Sequence, residues 1–265
     1  MMVHRKILTR PEFSIAVLVV TVFAMGCSPE TSPSVKATSP DPPLAVEETT
    51  EVMEDAAQET IVLLHGMGRS RASLLILQQR LKKEGYATLN FPYATPGKSV
   101  DELSDKLKAY VEENVKTKKY HFIAHSLGNI IIRNGFKEGE YRAGLGRMVM
   151  LGPPNQPSDL AVLFKDFKPY QWIMGESGQE LSSEEFYADL PVPPIEFGVI
   201  AGDKGQRLSF DEPNDGVVTV ASTKLDGMKD WVLLHHTHTF MMNSKDTAVQ
   251  CINFIKHGEF IKTDK

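Results

Sequence analysis

Two patterns of apolar residues alternate along the chain from Thr60 onward. Short continuous runs rich in β-branched and aromatic residues read TIVLLHG, YATLNF, YHFIAHS, RMVMLGPP, IEFGVIAG and DWVLLHH. Runs of this length are predicted as strands buried on both faces. Between them the apolar spacing becomes helical. Leu74, Leu77 and Leu81 mark a helix over 70–83 that Gly85 ends. Ser99-x-x-Glu102 carries a capping-box signature and opens a helix with Leu103, Leu107, Tyr110 and Val111 on one face. Further helices are predicted over 127–136 and 245–256. Strands alternating with helices imply the α/β class: a mostly parallel sheet of about six strands, flanked by helices on both faces. No internal repeat is present, and residues 60–265 suffice for one domain.

The first sixty residues follow neither pattern. Arg5, Lys6 and Arg10 precede an apolar run from Ile15 to Met25. A bilayer-spanning helix needs about 20 apolar residues, so the run is read as the core of a signal peptide, residues 1–26. It ends in Ala24-Met25-Gly26-Cys27, which resembles a bacterial lipobox, with Ala24 where leucine is usual. That resemblance implies lipidation of Cys27 and anchoring to a membrane on the exported side; a plain secreted protein is the alternative. Residues 27–59 hold eight acidic side chains against Lys36 and no aromatic residue. Too little apolar surface is available there to offset ordering, and the segment is read as an extended spacer.

Charge narrows the partners. The net charge of −5 lies ahead of Thr60, +2 in the leader and −7 in the spacer, because residues 60–265 balance 25 basic against 25 acidic side chains. No basic footprint for nucleic acid is left. The remaining cysteine, Cys251, has no partner once Cys27 is lipidated, so no disulfide is expected.

The candidate chemistry centres on Ala124-His125-Ser126-Leu127-Gly128, where a predicted strand meets a predicted helix. A sharp strand-to-helix turn exposes a serine hydroxyl above the sheet edge. Ala124 and Gly128, two residues to either side, are small enough for such a turn to close. The following helix N-terminus favours a developing oxyanion. The string resembles the G-x-S-x-G nucleophile elbow of the α/β-hydrolase family, in the A-H-S-x-G form of bacterial lipases, with Ala124 for the first glycine. The resemblance runs from about Thr60 to Phe260. It implies an esterase or lipase acting through an acyl-enzyme on an ester or lipid substrate, with no cofactor and no metal.

The same resemblance assigns further roles. Ser126 is the nucleophile, and Leu127 supplies one oxyanion N–H. His65-Gly66-Met67-Gly68 resembles the lipase loop that supplies the other, from Met67, with His65 orienting the loop. The order Ser, acid, His of this fold opens everything after Ser126 to search. Asp215, in an N-D-G-V-V-x-V run, resembles the acid-bearing loop; Asp203, in a G-D-K-G turn, is the reserve. His238 has two large apolar residues two positions on and is chosen as base, with His236 in reserve. His235, at a strand end, is expected to pack. The three histidines also admit a metal-binding reading, which no cysteine or carboxylate at ligand spacing supports. Residues 153–194, rich in aromatic residues, are a candidate lid or acyl-binding wall. The 151–156 stretch resembles esterases related to the GPI-inositol deacylases, with Pro157 where they carry glycine. An acyltransferase or amidase with the same triad, and a non-catalytic lipid- or partner-binding lipoprotein, stand as alternatives.

Overall fold

A computed structural model describes residues 59–156, 184–205 and 212–262, all within one compact unit, Thr50–Lys265. The leader, Cys27, the spacer up to residue 58 and residues 157–183 of the candidate lid lie outside the described residues. Six strands form one sheet: β1 (Thr60–Leu64), β2 (Ala87–Asn90), β3 (Tyr120–His125), β4 (Leu145–Leu151), β5 (Phe197–Gly202) and β6 (Asp230–Leu234). Their order is β2-β1-β3-β4-β5-β6, and every pairing is parallel. The helices are α1 (Leu75–Lys83), α2 (Val100–Asn114), α3 (Leu127–Asn134), the short α4 (Glu184–Ala188) and α5 (Lys245–His257).

The unbroken apolar runs have a direct cause. Alternate residues of the central strands enter two different cores. Leu64, Ala124, Met150 and Val199 lie in one register row and face the core under α2 and α3. Leu63, Ile123 and Val149 form the neighbouring row and face the core under α1 and α5. Both rows are fully buried. Burial is worth about 1.5–3 kcal/mol for each large aliphatic side chain, so the middles of these strands stay apolar and their buried polar residues, Thr60, His121 and His125, fall near the strand ends.

The helix ends follow the sequence signals with three adjustments. Ser99 Oγ accepts the Glu102 N–H at 3.1 Å, but the Glu102 carboxylate pairs with Lys98 at 3.1 Å. Half of the capping box is therefore used. The first turn of the 70–83 segment is a 3-10 turn, Arg71–Leu74. There Ser73 donates both its N–H and its hydroxyl to the Ser70 carbonyl, which tightens the turn. Helix α3 stops two residues short of the predicted end. Tyr141 donates its hydroxyl to the Ile132 carbonyl at 3.0 Å, and the Phe136 N–H turns to Arg133 instead. At α5, Ser244 caps the Thr247 N–H, and Gly258 closes the helix at φ 79.

One glycine is fixed by contact. A Cβ at Gly128 would lie 2.8 Å from Leu64 Cβ and 2.9 Å from the His65 carbonyl oxygen. The first turn of α3 therefore rests directly on the end of β1. Gly128→Ala is expected to destabilise the protein by about 1–3 kcal/mol, as overpacking does. Urea unfolding beside the wild-type chain checks it.

Candidate active site

The parallel sheet brings the candidate residues to one edge. Ser126 follows β3, the 65–68 loop follows β1, Gly152 follows β4, Asp203 follows β5, and the 235–238 segment follows β6. All are carboxyl ends of strands, where open α/β sheets place their ligands.

Ser126 has φ 53 and ψ −123. It is the single non-glycine residue with positive φ among the described residues. Such a conformation costs on the order of 1–3 kcal/mol and persists only where its surroundings enforce it. Here the Ser126 N–H extends the ladder by donating to the Leu151 carbonyl at 2.9 Å, while α3 begins at the next residue. The turn leaves Ser126 half-buried between fully buried neighbours. Its hydroxyl makes no hydrogen bond to a described residue.

The loop after β1 lies against the serine. A Cβ at Gly66 would come within 3.0 Å of Ser126 Cβ and 2.7 Å of His125 Nδ1. Only glycine permits this approach, which brings the 65–68 loop against Ser126. The N–H groups of Met67 and Leu127 meet no acceptor among the described residues. They are two donors next to a serine, one in a loop and one at the first position of α3. His65 is buried and stacks on Tyr93 with ring centroids 4.0 Å apart. Its ring nitrogens lie 2.8 Å from the Gly66 carbonyl oxygen and 3.1 Å from that of Tyr93. The Tyr93 hydroxyl donates back to the His65 carbonyl. His65 thus braces the loop.

Asp215 and His238 meet. His238 Nδ1–H donates to Asp215 Oδ2 at 2.7 Å, and the side chains are 8% and 0% exposed for His238 and Asp215 respectively. The other carboxylate oxygen, Oδ1, accepts the N–H groups of Val217 at 2.9 Å and Val218 at 2.8 Å. The His238 N–H also donates to the Asp215 carbonyl at 2.8 Å. The N-D-G-V-V sequence explains this loop. Asn214 Oδ1 accepts the Gly216 N–H at 2.9 Å, and Gly216 turns at φ 99. A charge this buried is held by its three hydrogen bonds.

The reserve residues pair elsewhere. His235 lies 2.8 Å from Asp203, and His236 lies 2.8 Å from Asp246. The expectation that His235 packs is corrected: its side chain is 73% exposed. The strand residues stop alternating inward at Leu234, so its ring turns to solvent and the Asp203 carboxylate. The three clustered histidines therefore face three different carboxylates. Among the described residues no group of three or more metal-ligating side chains converges.

Two sets of contacts were not read from the sequence. Gly152 adopts φ 51, and a Cβ there would lie 3.1 Å from both Asp215 Oδ2 and His238 Nδ1. A Cβ at Gly202 would lie 2.9 Å from Asp215 Cβ. Glycines at the ends of β4 and β5 thus make room for Asp215 and His238, and a glycine at the end of each of these two predicted strands was the available signal. The second set is made by His125. Its Nε2–H donates to the His238 carbonyl at 3.0 Å, and the two rings lie 4.6 Å apart. The residue preceding the serine therefore holds the backbone of His238. Burial, followed by the neighbouring His238, keeps the His125 imidazole well below its ordinary pKa. It stays neutral, with Nδ1 unprotonated.

His65 and His121 are depressed as well, each chiefly by burial. His121 accepts the Arg147 N–H and contacts Glu59 at 2.9 Å. A depressed folded pKa means that the unfolded chain binds more protons, so stability rises with pH across the window. Thermal midpoints are expected to fall as pH drops below about 6.5, where the unfolded imidazoles charge. A scan from pH 8 to 5 checks this, and a flat profile there would contradict neutral burial of the three rings.

This sheet, with its strand–serine–helix turn, is the α/β-hydrolase fold. The lipase BlEst2 of Bacillus licheniformis in mature form superposes with a TM-score of 0.55 at 18% identity, covering 76% of this chain and 92% of that one. An esterase from Exiguobacterium antarcticum gives 0.55 at 14% identity over 76% and 92%. An esterase of Pyrococcus furiosus gives 0.51 at 17% over 76% and 81%. No family model and no curated protein matches the sequence. At these identities the likeness establishes the fold, while chemistry has to be argued from the site.

Proposed function

We propose that this protein is a serine hydrolase of carboxylic esters. Ser126 Oγ attacks the acyl carbonyl as His238 Nε2 takes its proton. The oxyanion forms against the N–H groups of Met67 and Leu127. His238 returns the proton to the leaving alkoxide, which departs as the alcohol. Water, deprotonated by the same imidazole, then releases the acid and regenerates Ser126. Asp215 holds the tautomer in which Nε2 is free to accept, and stabilises the imidazolium. No cofactor enters the scheme.

The observation that carries this reading is the company of the strained serine. Ser126, alone among described non-glycine residues at positive φ, follows a histidine that binds the backbone of a base whose ring is held by a buried aspartate. A structural serine needs neither the strain nor the buried pair. The esterase and lipase neighbours favour an ester over other acyl substrates as the first class to test. We extend the proposal to export and anchoring through Cys27, supported by the basic leader, its apolar run and the Ala24-Met25-Gly26-Cys27 string. No helix among the described residues is long and apolar enough to cross a membrane.

The test is turnover of p-nitrophenyl esters, from acetate to palmitate, by the full chain in mild detergent. Hydrolysis is expected, with the preferred length separating esterase from lipase. A folded protein inert toward every ester would overturn the reading.

A further inference from the structure

Arg133 is a buried cation with no counter-ion among the described residues. It lies on α3, seven residues after Ser126, and is 2% exposed. No carboxylate faces it among the described residues. Its guanidinium donates instead to three neutral oxygens, each at 3.0 Å: Nε–H to the Pro191 carbonyl, Nη1–H to Asn155 Oδ1 and Nη2–H to the Leu190 carbonyl. Burial lowers its pKa to about 10. Desolvating a cation for three neutral partners is costly, so what those partners hold matters.

Asn155 is where the bonds converge. It follows Gly152 in the loop after β4 and is buried. Its Oδ1 accepts from Arg133. Its Nδ2–H donates to the Thr223 carbonyl at 2.8 Å, and its backbone N–H to the Ser222 carbonyl at 3.0 Å. Residues 222–223 end the loop that starts with Asp215. That loop is itself tied: the Val220 N–H donates to Pro213, the Thr223 hydroxyl donates to Val220, and Asn214 bridges Thr219. A continuous set of hydrogen bonds therefore joins the nucleophile helix, the loop under the acid–base pair and the loop that carries the acid.

We infer that Arg133 and Asn155 form a clamp that sets Asp215 and His238 in register with Ser126. They are positioning residues, and their catalytic consequence rests on the triad reading above. The clamp itself is a statement about the acid loop and can be measured without substrate.

Asn155→Asp separates the clamp from simple packing. The new carboxylate keeps, and strengthens, the bond from Arg133. It replaces the donor to Thr223 with an acceptor that repels the carbonyl. Arg133→Lys is the second variant: it keeps the charge but cannot fork to Leu190, Pro191 and Asn155 together. Two readouts are taken on the full chain beside the wild type. One is the NMR signal of the His238 Nδ1 proton with the exchange rates of the Val217 and Val218 amides. The other is kcat and KM for p-nitrophenyl acetate.

In both variants the Val217 and Val218 amides are expected to exchange at least tenfold faster, with the His238 proton signal broadened, while β1 amides stay protected. If esters are the substrate, kcat falls by tenfold or more with KM little changed. Unchanged amides and proton signal in folded Asn155→Asp and Arg133→Lys overturn the clamp. A responsive loop in a chain whose wild type hydrolyses no ester upholds the clamp and overturns the triad reading alone.

Discussion

Replacing Ser126 with alanine is expected to lower kcat for ester hydrolysis by about 10⁶-fold, the scale seen when a triad nucleophile is lost elsewhere. The reason is structural as well as chemical. The Met67 and Leu127 N–H groups would remain, and binding would persist, but no oxygen would stand at the strained turn to form the acyl-enzyme. KM should therefore move far less than kcat. The variant should also fold: alanine removes a hydroxyl that bonds to no described residue, and the positive φ is already tolerated by a residue bearing a Cβ. Stopped assays at high enzyme concentration, with the thermal midpoint alongside, separate lost chemistry from lost fold.

Asp215→Asn should cost about 10⁴-fold in kcat. The surrounding N–H groups decide how the amide sits. Val217 and Val218 both donate to the position of Oδ1, so the asparagine must place its carbonyl oxygen there. Its NH₂ then faces His238 Nδ1 and forces that nitrogen to accept. The proton moves to Nε2, where it points at Ser126, and the imidazole can no longer act as base. Asp203→Asn tests the alternative acid. That carboxylate pairs with the largely exposed His235, and such pairs contribute about 0–1 kcal/mol. Its turnover should stay close to wild type. An equal loss in the Asp203 variant, with Asp215→Asn near normal, would reassign the acid.

The strands were legible in the sequence because the sheet is covered on both faces. Val62 and Leu63 enter opposite cores, so the run stays apolar throughout. The elbow was legible for a related reason: a serine between Ala124 and Gly128, with a strand before and a helix after, is a local pattern. Asp215 and His238, which pair in the structure, could be preferred to Asp203 and His236 because the resemblance that pointed to them rests on a tight loop and a spacing, which are also local. What stayed hidden is long-range. The contact of Gly152 with the acid–base pair, the bond from His125 to the His238 carbonyl and the Arg133–Asn155 clamp join segments tens of residues apart. No window of sequence contains both partners. His235 was misplaced because a strand pattern does not announce the residue at which it stops. The 3-10 turn at Arg71–Leu74 depends on a hydroxyl back-bond that leaves the apolar spacing unchanged.

A serine activated by a base, as proposed for Ser126, reacts with an electrophilic phosphorus probe whatever its natural substrate. The chain is treated with an alkyl fluorophosphonate, digested, and its serines mapped by mass spectrometry, with His238→Ala in parallel. A single stoichiometric adduct on Ser126 is expected in the wild-type chain, with labelling slowed by orders of magnitude in the variant. A folded wild-type chain that takes no adduct, or carries it on another serine, would contradict the proposal.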